Sequence, residues 1–467
     1  MSLFQTDYDR TTCDIGVVHL GYGSFHRAHQ AVYFDDYMHQ TGDKRWGIAA
    51  VNLRTTETEA FQQAASATEG YVVKTIAPDG AINFRSVRSH LAFADATTDP
   101  DKAYDLLCLP SVKIVTITVT ESGYYFNDTW DLDVEAEPVS AGISGEKSET
   151  VYAYLAEALR RRAALINQPV SLLCCDNIRS NGQVLQRALL TYLEAKGLGE
   201  LATWVRGNVS FPCSMVDRIT PRSTPGLKNE ISQLFPDTAH SPVHAEQFTQ
   251  WVIEDDFITD FPDLTQAGVQ IVSDVEPYEE AKIRILNGGH VGLAYLGALA
   301  GHHTFDQAMR DPNLRPHFEK WEKGEVLPGL GNHAPFDTTL YLDEIASRFE
   351  NEGIADHLER ICMDGYSKMA IYIRPTLEAC LQMGILPEAG FDCVAAWIIN
   401  ARRHQDGQLH FPYHEPYWDR LAPMIRKGEE SQIASDSQIW GDLPERFDNF
   451  VPGLVAAIQR MDQRWQA

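Results

Sequence analysis

The chain changes character once, near residue 276, and that change limits how it can fold more than any single motif does. Before it, short apolar runs alternate with stretches of helical spacing; after it, apolar residues recur at helical spacing only. Residues 14–20 are nearly all apolar, as a strand buried on both faces should be. Residues 46–53 and 170–175 read as further core strands, and 112–120, rich in β-branched residues, as another. Residues 28–38, 148–166 and 183–195 have the spacing of helices. Such alternation predicts a mostly parallel sheet with helices on both faces. Beyond 270–275, helices are expected at 278–299, 340–349, 354–362, 375–383, 393–402 and from 450 to the end, with no strand among them. The fold class is therefore α/β plus all-α, with an α/β domain over 1–276 and a helical domain over 277–467. A cleft between two such domains is a common place for a ligand.

Composition narrows the partners. The 467 residues are 44% hydrophobic, enough for two or three proper cores. The formal net charge of −26 repels phosphate backbones and anionic lipid, which argues against nucleic acid and membranes as partners. No stretch approaches the roughly 18 uncharged apolar residues of a membrane helix, and the first ten residues lack the pattern of an export signal. The eight cysteines are scattered, most in apolar runs, which reads as reduced thiols in a cytoplasmic protein. No cysteine and histidine group has zinc-ligand spacing, so no metal is expected. His26 with His29, and His302 with His303, suggest one only in isolation.

The first apolar run ends in Gly21-Tyr22-Gly23-Ser24-Phe25 and a helical stretch follows. Strand, glycine turn and helix open a nucleotide-binding βαβ unit of the Rossmann type, where backbone at Gly21, Gly23, Ser24 and Phe25 would approach a pyrophosphate. His26 stands where the usual fingerprint has its third glycine. A bare GxG also suits a tight turn in any doubly wound protein. Glu57, just past the second expected strand, is placed to accept from the adenosine ribose and so favours NAD over NADP, although Arg54 nearby could argue the other way.

The most informative segment is 276–290, EPYEEAKIRILNGGH. Pro277 suits a first helical turn. On an ideal helix Glu279, Lys282, Asn287 and His290 fall within an arc of about 140°. A lysine, an asparagine and a histidine on one face offer a base, an oxyanion donor and an orienting group, which is what hydride transfer from a secondary alcohol requires. The lysine can serve only if burial or a cationic neighbour brings its pKa towards the working pH. A surface lysine with two capping residues is the plain alternative. Gly288 and Gly289 weigh against it: mid-helix glycines cost about 1 kcal/mol each, so a ligand or another backbone is expected to approach there.

Taken together, the chain resembles the polyol-specific long-chain dehydrogenases, the family of mannitol 2-dehydrogenase, over essentially its whole length. The resemblance rests on HLGYGSFHRAHQ at 19–30, TVTESGY at 118–124, CDNIRSNG at 175–182, MVDRITP at 215–221, the 276–290 segment and DGYSK at 364–368. It implies a Rossmann-type domain, a helical domain, NAD and metal-independent oxidation of a polyol to a ketose. It implies Lys282 as general base, Asn177 and Asn287 as the pair holding the alkoxide oxygen, and His290 as the residue orienting substrate. Asp217 would support the lysine, Glu279 would link it to solvent, and Arg360 and Lys368 would grip further hydroxyls. Within the family, GYYF at 123–126, YEEAKIRILN at 278–287, GLGN at 329–332 and GYSK at 365–368 are most similar to D-arabinitol 4-dehydrogenases. The expected reaction is D-arabinitol to D-xylulose, or D-mannitol to D-fructose, in a monomer or small homo-oligomer. Two rivals stand beside it: a reductase of fructuronate or tagaturonate, with Arg360 or Lys368 meeting the carboxylate, and a non-catalytic NAD-binding regulator on the same scaffold.

Overall fold

Six short strands, Ile15–Leu20, Gly47–Asn52, His90–Asp95, Ile114–Ile117, Val170–Cys174 and Val209–Ser210, pair in parallel into one sheet. Counted along the chain, their spatial order is 3-2-1-4-5-6, the Rossmann order, with the reversal beside the first strand. Successive side chains leave a strand on opposite faces. Val18, Val115 and Ile117 thus enter one core with helices Val151–Leu165 and Asn181–Ala195, while Val17, Ile48 and Ile114 enter another with helix Gln30–Thr41. Both faces are covered, which is why these strands read as apolar runs.

The structure, a computed structural model, describes residues 2–66, 69–127, 130–236 and 241–466. It divides into two compact units, Met1–Ala77 with Ala81–Glu276, and Pro78–Gly80 with Pro277–Ala467. The first unit carries two more sheets. Ser214–Asp217 pairs antiparallel with Gln250–Glu254, which pairs with Gln270–Val272; Tyr71–Ile76 and Ile82–Val87 form an antiparallel pair flanked by Leu3–Gln5 and Val243–Glu246. Several of these strands, with His90–Asp95, are absent from the sequence reading. They are partly exposed, so no continuous apolar run marks them.

Two boundaries also shift for stated reasons. The run 112–120 ends as a strand at Ile117, because the Val119 and Thr120 N–H groups donate to the Asp176 carboxylate at 2.9 and 3.1 Å instead of to a neighbouring strand. The first helix starts at Ser24, breaks at His29 (φ −125°, ψ −92°) and resumes as Gln30–Thr41.

In the second unit, helix Gly289–Leu299 is apolar and buried nearly all round, as a helix at the centre of a helical core should be. Glu388–Gln405 and Phe450–Gln466 contribute to the same core. The expected helix 354–362 is only Leu358–Cys362. Residues 356–358 pair with 303–305 instead: Phe305 N donates to Asp356 O at 2.8 Å and Leu358 N to His303 O at 3.0 Å. Among the described residues no helix is long and apolar enough to cross a membrane.

Candidate active site

The lysine segment is not uniformly α-helical. Glu276–Ala281 is α, Lys282–Gly288 widens into π turns, and Gly289–Leu299 is α again. A π turn closes through i→i+5 bonds and is common at functional sites, so the ideal-helix arc does not describe these residues. Lys282 and Glu279 are buried, at 7% and 6% exposure, and Asn287 and His290 are half-buried. The Asn287 Oδ1 is buried and has no hydrogen-bond partner among the described residues. An amide end left unmatched in a site costs about 1–3 kcal/mol, which a ligand donor placed there would recover.

Packing inside this unit explains the two glycines. A Cβ on Gly288 would lie 3.1 Å from the Tyr372 carbonyl, and one on Gly289 would strike the Glu322 carboxyl. Tyr372 and Glu322 themselves lie in π turns, Met369–Ile373 and Glu322–Val326. Three widened turns therefore meet where Lys282–Gly288 ends. Glu322 is fully buried, and burial alone pushes its carboxyl well above the usual range. The close approach comes from backbone and a protein carboxyl, which accounts for both glycines without a ligand.

His290 lies 3.7 Å from the Asp356 Oδ2 and stacks on Phe349, with Phe305 edge-on at 4.3 Å. Asp356 also pairs with Arg360 through both oxygens, one at 2.9 Å. Lys368 donates to the Ile361 carbonyl at 2.8 Å, and burial lowers its pKa. Burial pushes His290 down to about 4, with Asp356 opposing and Arg360, Lys368 and Arg348 reinforcing. His290 is thus neutral near pH 7, able to donate from one ring nitrogen and accept at the other. Asp356 was not singled out in the sequence, although its i,i+4 spacing to Arg360 was a legible signal.

In the first unit, Gly21 has φ +94°, its N–H donates to Val51 O at 3.1 Å, and a Cβ there would be driven into the Thr118 carbonyl. Only glycine fits, whatever binds above the turn. Gly23 differs: φ is −77°, and nothing lies within 4 Å of where its Cβ would be. That open space, at the start of the helix and the carboxyl edge of the sheet, fits close approach by a dinucleotide phosphate. Ser24 opens the helix, and the half-buried Phe25 stacks on His29 at 4.9 Å. Glu57 is exposed and ends the short turn Thr55–Glu57 after the second strand. Arg54 donates to the Val119 carbonyl at 3.3 Å.

Asn177 follows the fifth strand, exposed at the sheet's carboxyl edge. Beside it Asp176 accepts from Val119 N, Thr120 N and the Tyr124 hydroxyl, the last at 2.7 Å, and so holds the 119–124 loop in place. Thr120 pays for that grip with φ +68° and ψ 157°, a conformation that favours glycine. Asp217 is buried at the end of strand Ser214–Asp217. The other histidine pairs have structural partners: His29 Nε2 meets Gln250 O at 2.8 Å, and His302 Nε2 meets Asp311 Oδ2 at 2.8 Å.

A pH dependence follows from the buried histidines. Burial pushes His19 down to about 3 and His26 and His90 well below 6.5, as it does His290. Each stays neutral in the fold, while in the unfolded chain it binds a proton below pH 6.5. Their contribution is present above pH 6.5 and is lost as pH falls, at about 1.4 kcal/mol per pH unit for each proton withheld. Calorimetry from pH 7 to 5 should show Tm falling steeply below 6.5; a flat profile would contradict the neutral assignment.

Comparison with known proteins shows the family. The mannitol dehydrogenase Rossmann domain matches residues 15–266 and the mannitol dehydrogenase C-terminal domain residues 274–462. The chain is 34% identical to D-arabinitol 4-dehydrogenase of Klebsiella pneumoniae over 92% of its own length and 95% of the relative's. It is likewise 34% identical to mannitol 2-dehydrogenase of Cereibacter sphaeroides, over 98% and 96%. The solved Pseudomonas fluorescens mannitol 2-dehydrogenase ternary complex with NAD and D-mannitol superposes with a TM-score of 0.87 at 30% identity, covering 99% of this chain and 94% of that one. With both domains matched in order and a third of the residues shared along nearly the whole length, this chain belongs to the mannitol dehydrogenase family.

Proposed function

We propose that the chain is an NAD-dependent polyol dehydrogenase, with D-arabinitol oxidised to D-xylulose as the leading reaction and D-mannitol to D-fructose as the second. The observation that carries this reading is the π segment itself: a buried Lys282 and a half-buried Asn287, whose Oδ1 is unmatched, sit on one widened turn, with a neutral His290 just beyond it. Family membership and the names of the relatives support the substrate class. Relatives named for D-arabinitol and for D-mannitol both match at 34% identity; D-arabinitol leads on the stretches at 123–126, 278–287, 329–332 and 365–368.

In this reading Lys282 Nζ takes the hydroxyl proton of the reacting carbon and Glu279 passes it towards solvent. Asn287 and Asn177 donate from Nδ2 to the oxygen as charge grows on it. His290 accepts or donates to a neighbouring hydroxyl without adding charge, and Asp217 orients the lysine. Arg360 and Lys368 hold the far hydroxyls. Gly21, Gly23, Ser24 and Phe25 would hold the dinucleotide's pyrophosphate and Glu57 its ribose; when bound, NAD⁺ supplies the acceptor for the hydride. Arg54, engaged with Val119 O, is turned to a protein partner, which favours NAD over NADP. The pairing of Arg360 with Asp356 offsets the cation that a uronate carboxylate would need, which favours a neutral polyol.

The test is a panel of D-arabinitol, D-mannitol and D-sorbitol with NAD⁺ and NADP⁺, and of fructuronate and tagaturonate with NADH and NADPH, followed at the reduced-nicotinamide absorbance. NAD-linked turnover of a polyol is expected. Turnover of uronates alone, or NADH binding without any turnover, would replace this reading with the uronate reductase or the regulator. Asn287→Ala should lower kcat by about 10²–10³, with Tm little changed because its Oδ1 has no protein partner to lose.

A further inference from the structure

The glycine fingerprint of a dinucleotide turn uses its third glycine to let helix and strand pack closely. Here His26 holds that position, and its ring lies flat on His19 of the first strand, 3.2 Å between centroids and 8° between planes. His26 Nε2 is 2.9 Å from His90 Nε2 on the third strand. All three imidazoles are buried, at 0%, 0% and 4% exposure, and burial keeps each neutral. Tyr22, the middle residue of the turn, meets the His90 ring edge-on at 5.0 Å.

His19 reaches the turn itself. Its Nε2 meets the Gly21 carbonyl, which can only accept, so Nε2 carries the proton. That leaves Nδ1 to accept from the Thr116 hydroxyl at 2.8 Å. The Thr118 hydroxyl also donates to the Gly21 carbonyl, at 3.1 Å. With its N–H on Val51, both ends of Gly21 are tied. A buried, neutral side chain with a dictated tautomer holding a glycine carbonyl does more than fill space: it sets the peptide plane between Gly21 and Tyr22, and with it the direction of the backbone N–H groups that follow.

The geometry points to His19, His26 and His90 as a positioning element for the dinucleotide. The flat imidazole pair takes over the packing role of the missing third glycine, and the His19 hydrogen bond orients the turn that receives the pyrophosphate. This rests on the reading of the first unit as the NAD domain.

NADH fluorescence titration tests it, with calorimetry alongside, on the full-length chain. The wild type binds NADH; if it does not, the functional reading fails first and this inference with it. His19→Leu keeps bulk but removes the donor, and should weaken NADH about tenfold, the worth of one hydrogen bond at the turn. His19→Gln places a donor the same number of bonds from the backbone as Nε2 and should recover most of that affinity, whereas His19→Asn, too short, should not. His26→Gly, which completes GxGxxG, should weaken NADH because the stack is lost. Should His19→Leu fail to fold, the contrast between His19→Gln and His19→Asn decides. Equal affinity in those two, or NADH binding by His26→Gly as tight as wild type, overturns the inference.

Discussion

Lys282→Ala loses about 10²–10⁴ in turnover, the usual worth of a positioned base, while NADH still binds. The residue lies on the widened turn that also carries Asn287, and nearly all of its side chain is out of water. With the proposed base gone, the hydroxyl proton has no acceptor at the reacting carbon, so the loss falls on kcat. The turn should survive, because it is framed by Tyr372 against Gly288 and Glu322 against Gly289. Steady-state rates with D-arabinitol, set beside NADH titration and Tm, check the three parts separately. A small primary amine added to the variant should restore part of the rate, since it can enter the space the side chain leaves and take the same proton. Near-normal turnover without the lysine would remove it from the centre of the mechanism.

The second large effect separates two glycines that look alike in the sequence. Gly21→Ala forces a side chain onto φ +94° and into the Thr118 carbonyl. Strain of roughly 1–2 kcal/mol from the dihedral alone, with a clash added, should lower Tm and NADH affinity together. Gly23→Ala meets no atom and an ordinary φ. It should leave Tm unchanged or slightly raised, by up to about 1 kcal/mol of stability. Yet its methyl occupies the space where a phosphate would approach, so NADH should weaken by at least about tenfold. Calorimetry and NADH fluorescence on both variants distinguish the cases. If Gly23→Ala binds NADH as well as the wild type, the open space is not where the dinucleotide lies.

Much of the parallel sheet could be read along the chain because a strand that is buried on both faces is mostly apolar. Ile15–Leu20, Gly47–Asn52, Ile114–Ile117 and Val170–Cys174 are such strands. His90–Asp95 is not: three of its six residues are partly exposed, and its polar first residue is spent on the imidazole cluster. The two-residue strand Val209–Ser210 is too short for any periodicity to appear.

At the candidate site the division is similar. Residue types and local order were legible: the GxG turn, the lysine with its asparagine and histidine, the acid and base chemistry they can offer, and the family they resemble. Local sequence carries these because they depend on neighbours a few residues away. Only the folded chain decided the rest. The π turns meet where three segments press together; Asp356 reaches His290 where residues 356–358 pair with 303–305; and His26 could be seen as a missing glycine but not as half of an imidazole stack. The first two are contacts between residues far apart in sequence; the stack joins His19 and His26 across the turn between a strand and the next helix, and depends on how those two elements pack. None has a periodicity to announce it.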